Sequence, residues 1–226
     1  LHAYVNDAFA TSHRSQASIV GLPKVIQAVA GKLMAKELEA LKQAYYAPQH
    51  PSVYIIGGAK IEDKLPIIEN ILRTGKADKV LVGGVVANVF LRASGIDFGE
   101  AENQKLEKSS ILLEKARAIL ANYKERVVLP KDLAILRDGA REDVSPEQRV
   151  DRKIVWDLGE ETSRQYAAII KQSKTIVSSG PMGVFEEKGF ETGSKTVLEA
   201  MAEAQAFTVV GGGHMASYAN MLGIDH

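Results

Sequence analysis

From residue 52 to its end the chain repeats one unit, a short apolar run that stops at glycine and gives way to a helical pattern. The runs stop at Gly57-Gly58, Gly83-Gly84, Gly159, Gly180 and Gly211-Gly212-Gly213. Continuous apolar runs of four or five residues read as strands buried on both faces, which is the condition of a parallel sheet covered by helices. Strands are predicted at 52–56, 79–82, 126–129, 133–136, 153–157, 175–178 and 207–210. Helices are predicted between them: one capped by Asp63, one through residue 91, then 102–123, one starting near 162, 195–204 and one ending near 222. The charged stretch 137–152 reads as exposed turns. Alternation of this kind predicts an α/β fold, doubly wound around a mainly parallel, Rossmann-like sheet.

In a parallel sheet every carboxyl end lies on one edge, and ligands of open α/β sheets bind in the crevice outside that edge. The five glycine turns are therefore expected to line a single cleft. Glycine lets backbone N–H groups approach an anion without a Cβ in the way, and a helix start adds a favourable dipole. One turn, Gly57-Gly58-Ala59-Lys60-Ile61-Glu62-Asp63-Lys64, also carries two lysines. Taken alone it reads better as a glycine connector with solvated lysines. Five converging turns favour a large phosphate-bearing ligand, a nucleotide.

Other chemistries are absent from the sequence. No turn has the G-x-x-x-x-G-K-[ST] pattern of a P-loop, and none is a G-x-G-x-x-G opening a helix. There is no H-E-x-x-H and no cysteine, so thiol chemistry and Cys-based metal sites are excluded. Lys plus Arg and Asp plus Glu number 28 each, so no net field draws the chain to nucleic acid or to an anionic membrane. The apolar run 80–91 is interrupted by Gly83, Gly84 and Asn88 and is too short to span a bilayer. A chain without cysteine is compatible with a reducing cytoplasm.

Ahead of residue 52 the pattern differs. Residues 1–24 hold a brief strand-like segment and a polar loop, too little to bury a core. Residues 25–46 read as one long helix, ended by Pro48 and Pro51, that could join two lobes. The first residue is Leu1 and not Met, Tyr4-Val5-Asn6-Asp7-Ala8-Phe9 already reads as the interior of a fold, and the last helical pattern stops close to His226, so a fragment cut at both ends is expected.

Four ordered runs are more specific. Residues 4–14 (Tyr-Val-Asn-Asp-Ala-Phe-Ala-Thr-Ser-His-Arg), Gly57 to Lys64, Gly180-Pro181-Met182-Gly183-Val184-Phe185-Glu186 and Gly211-Gly212-Gly213 resemble the signature runs of the phosphoglycerate kinase family, in family order and with similar separations. Trp156-Asp157-Leu158-Gly159 and Gly213-His214 are similar to its archaeal branch. The resemblance implies a two-lobed kinase that moves a phosphoryl group between 1,3-bisphosphoglycerate and Mg-ADP, giving 3-phosphoglycerate and Mg-ATP. It implies that residues 1–24 are the end of a substrate-binding domain, 25–48 an interdomain helix and 49–226 the nucleotide-binding domain. A chain with this content is expected to bind nucleotide and to turn over poorly alone. The alternative is a non-catalytic nucleotide-binding or interaction module of the same fold.

The resemblance also implies roles. Lys60 matches the lysine that stabilises the transferring group, and Lys64 the one that holds nucleotide phosphates. Gly211, Gly212 and Gly213 match the catalytic phosphate turn, continued by His214 and Met215. Gly57, Gly58, Ala59, Gly180, Pro181, Gly183 and Val184 match other nucleotide contacts, Gly83 and Gly84 lie beside the adenine, and Glu186 accepts from the ribose hydroxyls. Arg14 matches a substrate-phosphate ligand, and His50 stands where an arginine is common on the substrate side. Other departures are Val85 for a third glycine, Ser179 for an asparagine, and His214-Met215 where many members carry Asp-Thr and so a carboxylate near the magnesium ion. No metal ligand is assigned from the sequence.

Overall fold

A computed structural model describes residues 2–98, 110–148 and 155–224. The chain divides into two units, residues 1–47 and 48–226. In the first, strand β1 (Tyr4–Asn6) pairs in parallel with β2 (Ala28–Ala30), and helix α1 follows at Lys32–Tyr46. The long helix expected from residue 25 thus begins at Lys32. Its start is set from a distance: Asp7 Oδ1 accepts the Met34 N–H at 2.8 Å, and a Cβ on Gly31 would strike the Asp7 carboxylate. A cap supplied from 27 residues upstream leaves no local signal.

The second unit contains a five-stranded, wholly parallel sheet. Its strands are β3 (Ser52–Ile56), β4 (Lys79–Val82), β5 (Val127–Val128), β9 (Thr175–Ser179) and β10 (Phe207–Gly211), in the order β10-β9-β3-β4-β5. Between them run α2 (Ile61–Arg73), α3 (Gly84–Ala93), α4 (Ser110–Tyr123), α5 (Glu160–Lys171), α6 (Thr192–Glu203) and, after β10, α7 (Gly213–Met221). All five residues of β3 are buried, as its uninterrupted apolar run requires at the centre of a sheet covered on both faces. Val53, Ile55, Leu81 and Ile176 meet Tyr166, Ile170 and Val197 in the main core. The doubly wound α/β class is as expected. The expected start of α4 at residue 102 and the strand residues 153–154 lie outside the described residues.

Three local expectations are corrected. Helix α2 starts at Ile61, after Lys60, so Asp63 sits in its first turn and is not its cap. Residues 140–144 form β7, an antiparallel partner of β6 (Leu133–Arg137), where exposed turns were expected. The hairpin turns at Asp138-Gly139, both at positive φ, the pattern a two-residue type I′ loop demands. On the other side β6 pairs with β8 (Val155–Leu158), so β8 belongs to a separate antiparallel sheet. Gly159 therefore does not end a strand of the parallel sheet. It precedes α5, where a Cβ would strike the Asp132 carboxylate that caps the helix through the Glu161 and Thr162 N–H groups at 2.9 and 2.7 Å. Among the described residues no helix is long and apolar enough to cross a membrane.

Candidate functional site

The strand order reverses between β3 and β9. The chain leaves β3 towards β4 and leaves β9 towards β10, and the carboxyl ends of such a pair open a crevice. A cleft of about 510 Å³ lies there, in the size range of small-molecule sites. Its floor is glycine because two backbones interlock. Gly57 N–H donates to Ser179 O at 3.0 Å, Gly58 N–H to Pro181 O at 2.8 Å and Gly84 N–H to Met182 O at 2.7 Å. A Cβ on Gly57 would stand 2.9 Å from the Pro181 carbonyl carbon, and one on Gly180 would stand 2.7 Å from that of Gly57. Either is closer than carbon atoms can pack. Most of the glycine in this site is thus demanded by the protein's own fold.

Gly213 differs. A Cβ there would meet nothing within 4 Å, and its φ lies outside the left-handed range. Neither packing nor backbone conformation asks for glycine at this helix start. What its absent side chain leaves open is the first turn of α7, whose N–H groups lack intrahelical partners and attract anions.

Lys64 lines the same cleft. Register aligns Ser179 with Gly211 on one side and Ile56 on the other, and the Lys64 ammonium donates to Ser179 Oγ at 2.6 Å. Burial pulls its pKa below the ordinary lysine range, and Asp63 only partly offsets this. Among the described residues Lys64 makes no ion pair. A half-buried cation held by one neutral hydroxyl is poorly compensated, and an anion in the cleft would remedy that. Lys60, exposed at the start of α2, lies on the rim.

Most of the residues expected at the site line this cleft: Gly57, Gly58, Ala59, Lys60, Lys64, Gly84, Gly180, Pro181, Gly183, Val184, Glu186, Gly212, Gly213, His214 and Met215. Gly83 sits just outside, where a Cβ would strike Met182, and Gly211 ends β10. His50 is elsewhere. It precedes β3, hence at the opposite, amino edge of the sheet, where its Nδ1 meets Asp78 Oδ2 at 2.6 Å. Seven residues of extended chain separate it from Gly57, roughly 20 Å, which removes it from the cleft. Asp78 also accepts from Ser52 N–H. Burial alone would raise its pKa, yet the Ser52 and His50 hydrogen bonds hold it below the usual carboxylate range. Arg14 belongs to the first unit, exposed on the loop after Phe9–Thr11.

The cleft also recruits residues that sequence reasoning did not assign: Asn88 from α3, Met182, and Val155 and Asp157 from β8, with Trp156. Asp157 is buried; its Oδ2 accepts from Gly193 N–H at 2.8 Å and from the Arg141 guanidinium at 3.2 Å. Desolvation pushes its pKa up to about 6, against the pull of those donors. The only hint in the sequence was one acid inside an apolar run, Val155-Trp156-Asp157-Leu158.

Among the described residues no group of three His, Cys, Asp or Glu side chains could cage a metal ion. The acids in the cleft are Asp157, engaged by Arg141, and Glu186. That donor set suits a magnesium ion that arrives on nucleotide phosphates and keeps most of its waters.

The comparisons with known proteins agree with this geometry. The family model for phosphoglycerate kinase matches residues 1–226. The phosphoglycerate kinase of Methanothermus fervidus is 42% identical over 225 residues, covering 99% of this chain and 55% of that protein. That of Pyrococcus abyssi is 41% identical, covering 98% and 55%. The crystal structure of the Pyrococcus horikoshii enzyme superposes with a TM-score of 0.90 at 40% identity, over 97% of this chain and 56% of that one. The Coxiella burnetii structure gives 0.83 at 35%, over 98% and 57%. The chain thus spans about half the length of the relatives it matches. With three of the four signature runs lining one cleft and a family model matching from end to end, the chain belongs to the phosphoglycerate kinase family.

Proposed function

We propose that the cleft binds ADP or ATP with its magnesium ion, and that the chain supplies the nucleotide half of a cytoplasmic phosphoglycerate kinase. The reaction is the reversible transfer of a phosphoryl group from 1,3-bisphosphoglycerate to Mg-ADP, giving 3-phosphoglycerate and ATP. The observation that carries this reading is the pairing of Lys64, a half-buried cation without an anion, with the uncovered helix start at Gly213. Both lie on the β9–β10 side of the cleft and call for a phosphate. On the β4 side Val85, Val155 and Trp156 offer apolar walls for a base, and Glu186 offers acceptors for ribose hydroxyls.

The transfer needs little beyond this. An oxygen of the terminal ADP phosphate forms a bond to the acyl-phosphate phosphorus, and the bond from that phosphorus to the carboxyl oxygen breaks with its electron pair left on the carboxylate. No proton moves, so a general base is not required. The residues' work is positioning and charge stabilisation. Lys64 and the α7 start hold the nucleotide phosphates, while the exposed Lys60 follows the moving group. Arg14 is the substrate-phosphate ligand in this reading. The metal, when bound, draws charge from the phosphate oxygens.

The test is a coupled assay of 3-phosphoglycerate-dependent ATP consumption on the chain fused to the substrate lobe of a relative. Turnover is expected in the fusion, with little in the 226-residue chain alone, and Lys60→Ala should lower kcat by a factor of about 10² or more. Unchanged turnover in Lys60→Ala would overturn the mechanism, and no turnover in a fusion that binds ADP would favour a non-catalytic module.

A further inference from the structure

One carboxylate of the cleft has nothing of its own to hold it. Glu186 lines the cleft from the loop between β9 and α6, exposed, and among the described residues its side chain makes no hydrogen bond and no ion pair. Its place is therefore set by its backbone, which is tied down on either side. On one side Val184 N–H donates to Trp156 O at 2.7 Å, and Phe185 stacks on Tyr218 of α7 with ring centroids 4.5 Å apart. On the other, the Gly189 carbonyl accepts from the Arg141 guanidinium at 2.9 Å, and that guanidinium lies 5.8 Å from the centre of the Phe190 ring. Arg141 comes from β7, in the antiparallel sheet, and does not itself line the cleft. It also donates to the Leu158 carbonyl at 2.8 Å, to Asp157 Oδ2 at 3.2 Å and to Asp143 Oδ1 at 2.9 Å. Packing alone does not call for such a group, because an apolar side chain holds a hairpin to its neighbour without the cost of desolvating a charge. What a planar fork adds is direction: its donors fix several acceptors at set angles.

We propose that Arg141 is a positioning residue for the nucleotide ribose: anchored by Asp157 and Asp143, it fixes the Gly189 end of the loop and so keeps Glu186 where the ribose hydroxyls arrive. The proposal rests on the nucleotide reading of the cleft. A loop ordered before the ligand enters does not have to be ordered by it, and the ordering cost avoided appears as affinity. A ligand made of phosphate alone, held at Lys64 and the α7 start, has no hydroxyl for Glu186 to accept from. Its affinity is therefore independent of Arg141.

Calorimetric titration of the 226-residue chain with Mg-ADP and with Mg-pyrophosphate, which lacks a ribose, tests this in Arg141→Met, Glu186→Ala and the double variant. Arg141→Met should weaken ADP about fivefold and Glu186→Ala about tenfold, while the double variant should lose only about tenfold, where independent effects would multiply to about fiftyfold. Pyrophosphate affinity should hold within about twofold throughout. Arg141→Lys keeps a charge beside Asp157 but lacks the fork; it serves if the methionine variant does not fold, and should weaken ADP about threefold or more. Unchanged ADP affinity in a folded Arg141→Met or Arg141→Lys, no loss in Glu186→Ala, multiplied losses in the double variant, or an equal loss of pyrophosphate would each overturn the proposal. Failure of the wild-type chain to bind ADP would overturn the nucleotide reading and this assignment with it, whereas ADP binding that Arg141 does not affect overturns this assignment alone.

Discussion

Replacing one glycine at a time with alanine should separate the glycines that build the cleft from the one that serves a ligand. Gly180 has φ of +86°, and an added Cβ would stand 2.7 Å from the Gly57 carbonyl carbon. A left-handed non-glycine residue costs about 1–2 kcal/mol. Forcing a methyl between two hydrogen-bonded backbones adds about 1–3 kcal/mol of overpacking. Gly180→Ala should therefore lose about 2–5 kcal/mol. Gly75, at φ of +70° with nothing within 4 Å of its Cβ position, isolates the first contribution, so Gly75→Ala should lose only about 1–2 kcal/mol. Gly213→Ala meets neither cost and restricts the unfolded chain, so it should gain about 0.4–1 kcal/mol. Yet it covers the N–H groups at the start of α7, and its affinity for ADP should fall about tenfold, the loss of one hydrogen bond to a charged group. Urea unfolding, read from midpoints at constant slope, measures the three stabilities. Gly180→Ala no less stable than Gly75→Ala would refute the interlocked-backbone account, and Gly213→Ala with unaltered ADP affinity would refute the assignment of that glycine to a ligand.

Other expectations follow from single groups. Because the folded pKa of Asp157 is pushed up to about 6, the native state binds its proton more tightly than the unfolded chain does. Its contribution is therefore favourable at low pH and erodes as pH rises from about 4 to about 6, by about 3 kcal/mol. Asp157→Asn should remove that erosion; unfolding at pH 4.5 and 7 checks it, and an unchanged pH difference would contradict the burial argument. Asp132→Ala removes the acceptors at the start of α5 and should cost about 1–2 kcal/mol in urea while ADP affinity holds.

Much of this fold is readable in the sequence because a buried parallel strand is a short apolar run and little else. Ser52–Ile56, Lys79–Val82, Thr175–Ser179 and Phe207–Gly211 announce themselves, and their shared polarity places the glycine turns that follow them on one edge. The elements missed are those whose cause is distant or whose residues are polar. Strand Ala140–Val144 is mostly charged, and only the Asp138-Gly139 turn signals that it pairs with Leu133–Arg137. Arg141 of that strand is tied to Asp143 and Asp157 and to the Leu158 and Gly189 carbonyls, contacts that no spacing predicts. Gly159 had the right residue type in the right rhythm, but its strand pairs in the antiparallel sheet. The site follows the same division. The end of the cleft at β9 and β10 is made of consecutive residues in glycine turns and is legible, whereas the other end is assembled from α3 and a strand of another sheet. His50, expected on the substrate side, precedes β3 and so stands at the amino edge of that sheet, where it meets Asp78.

Calorimetry with Mg-ADP on wild-type, Lys64→Met and His50→Ala chains tests most directly whether the cleft holds a nucleotide through a cation left without its anion. Saturable single-site binding to the wild-type chain is expected, with the same affinity in His50→Ala and a loss of about tenfold or more in Lys64→Met, the cost of one hydrogen bond to a charged group. No saturable heat from a folded wild-type chain, or equal affinity in Lys64→Met, would contradict it.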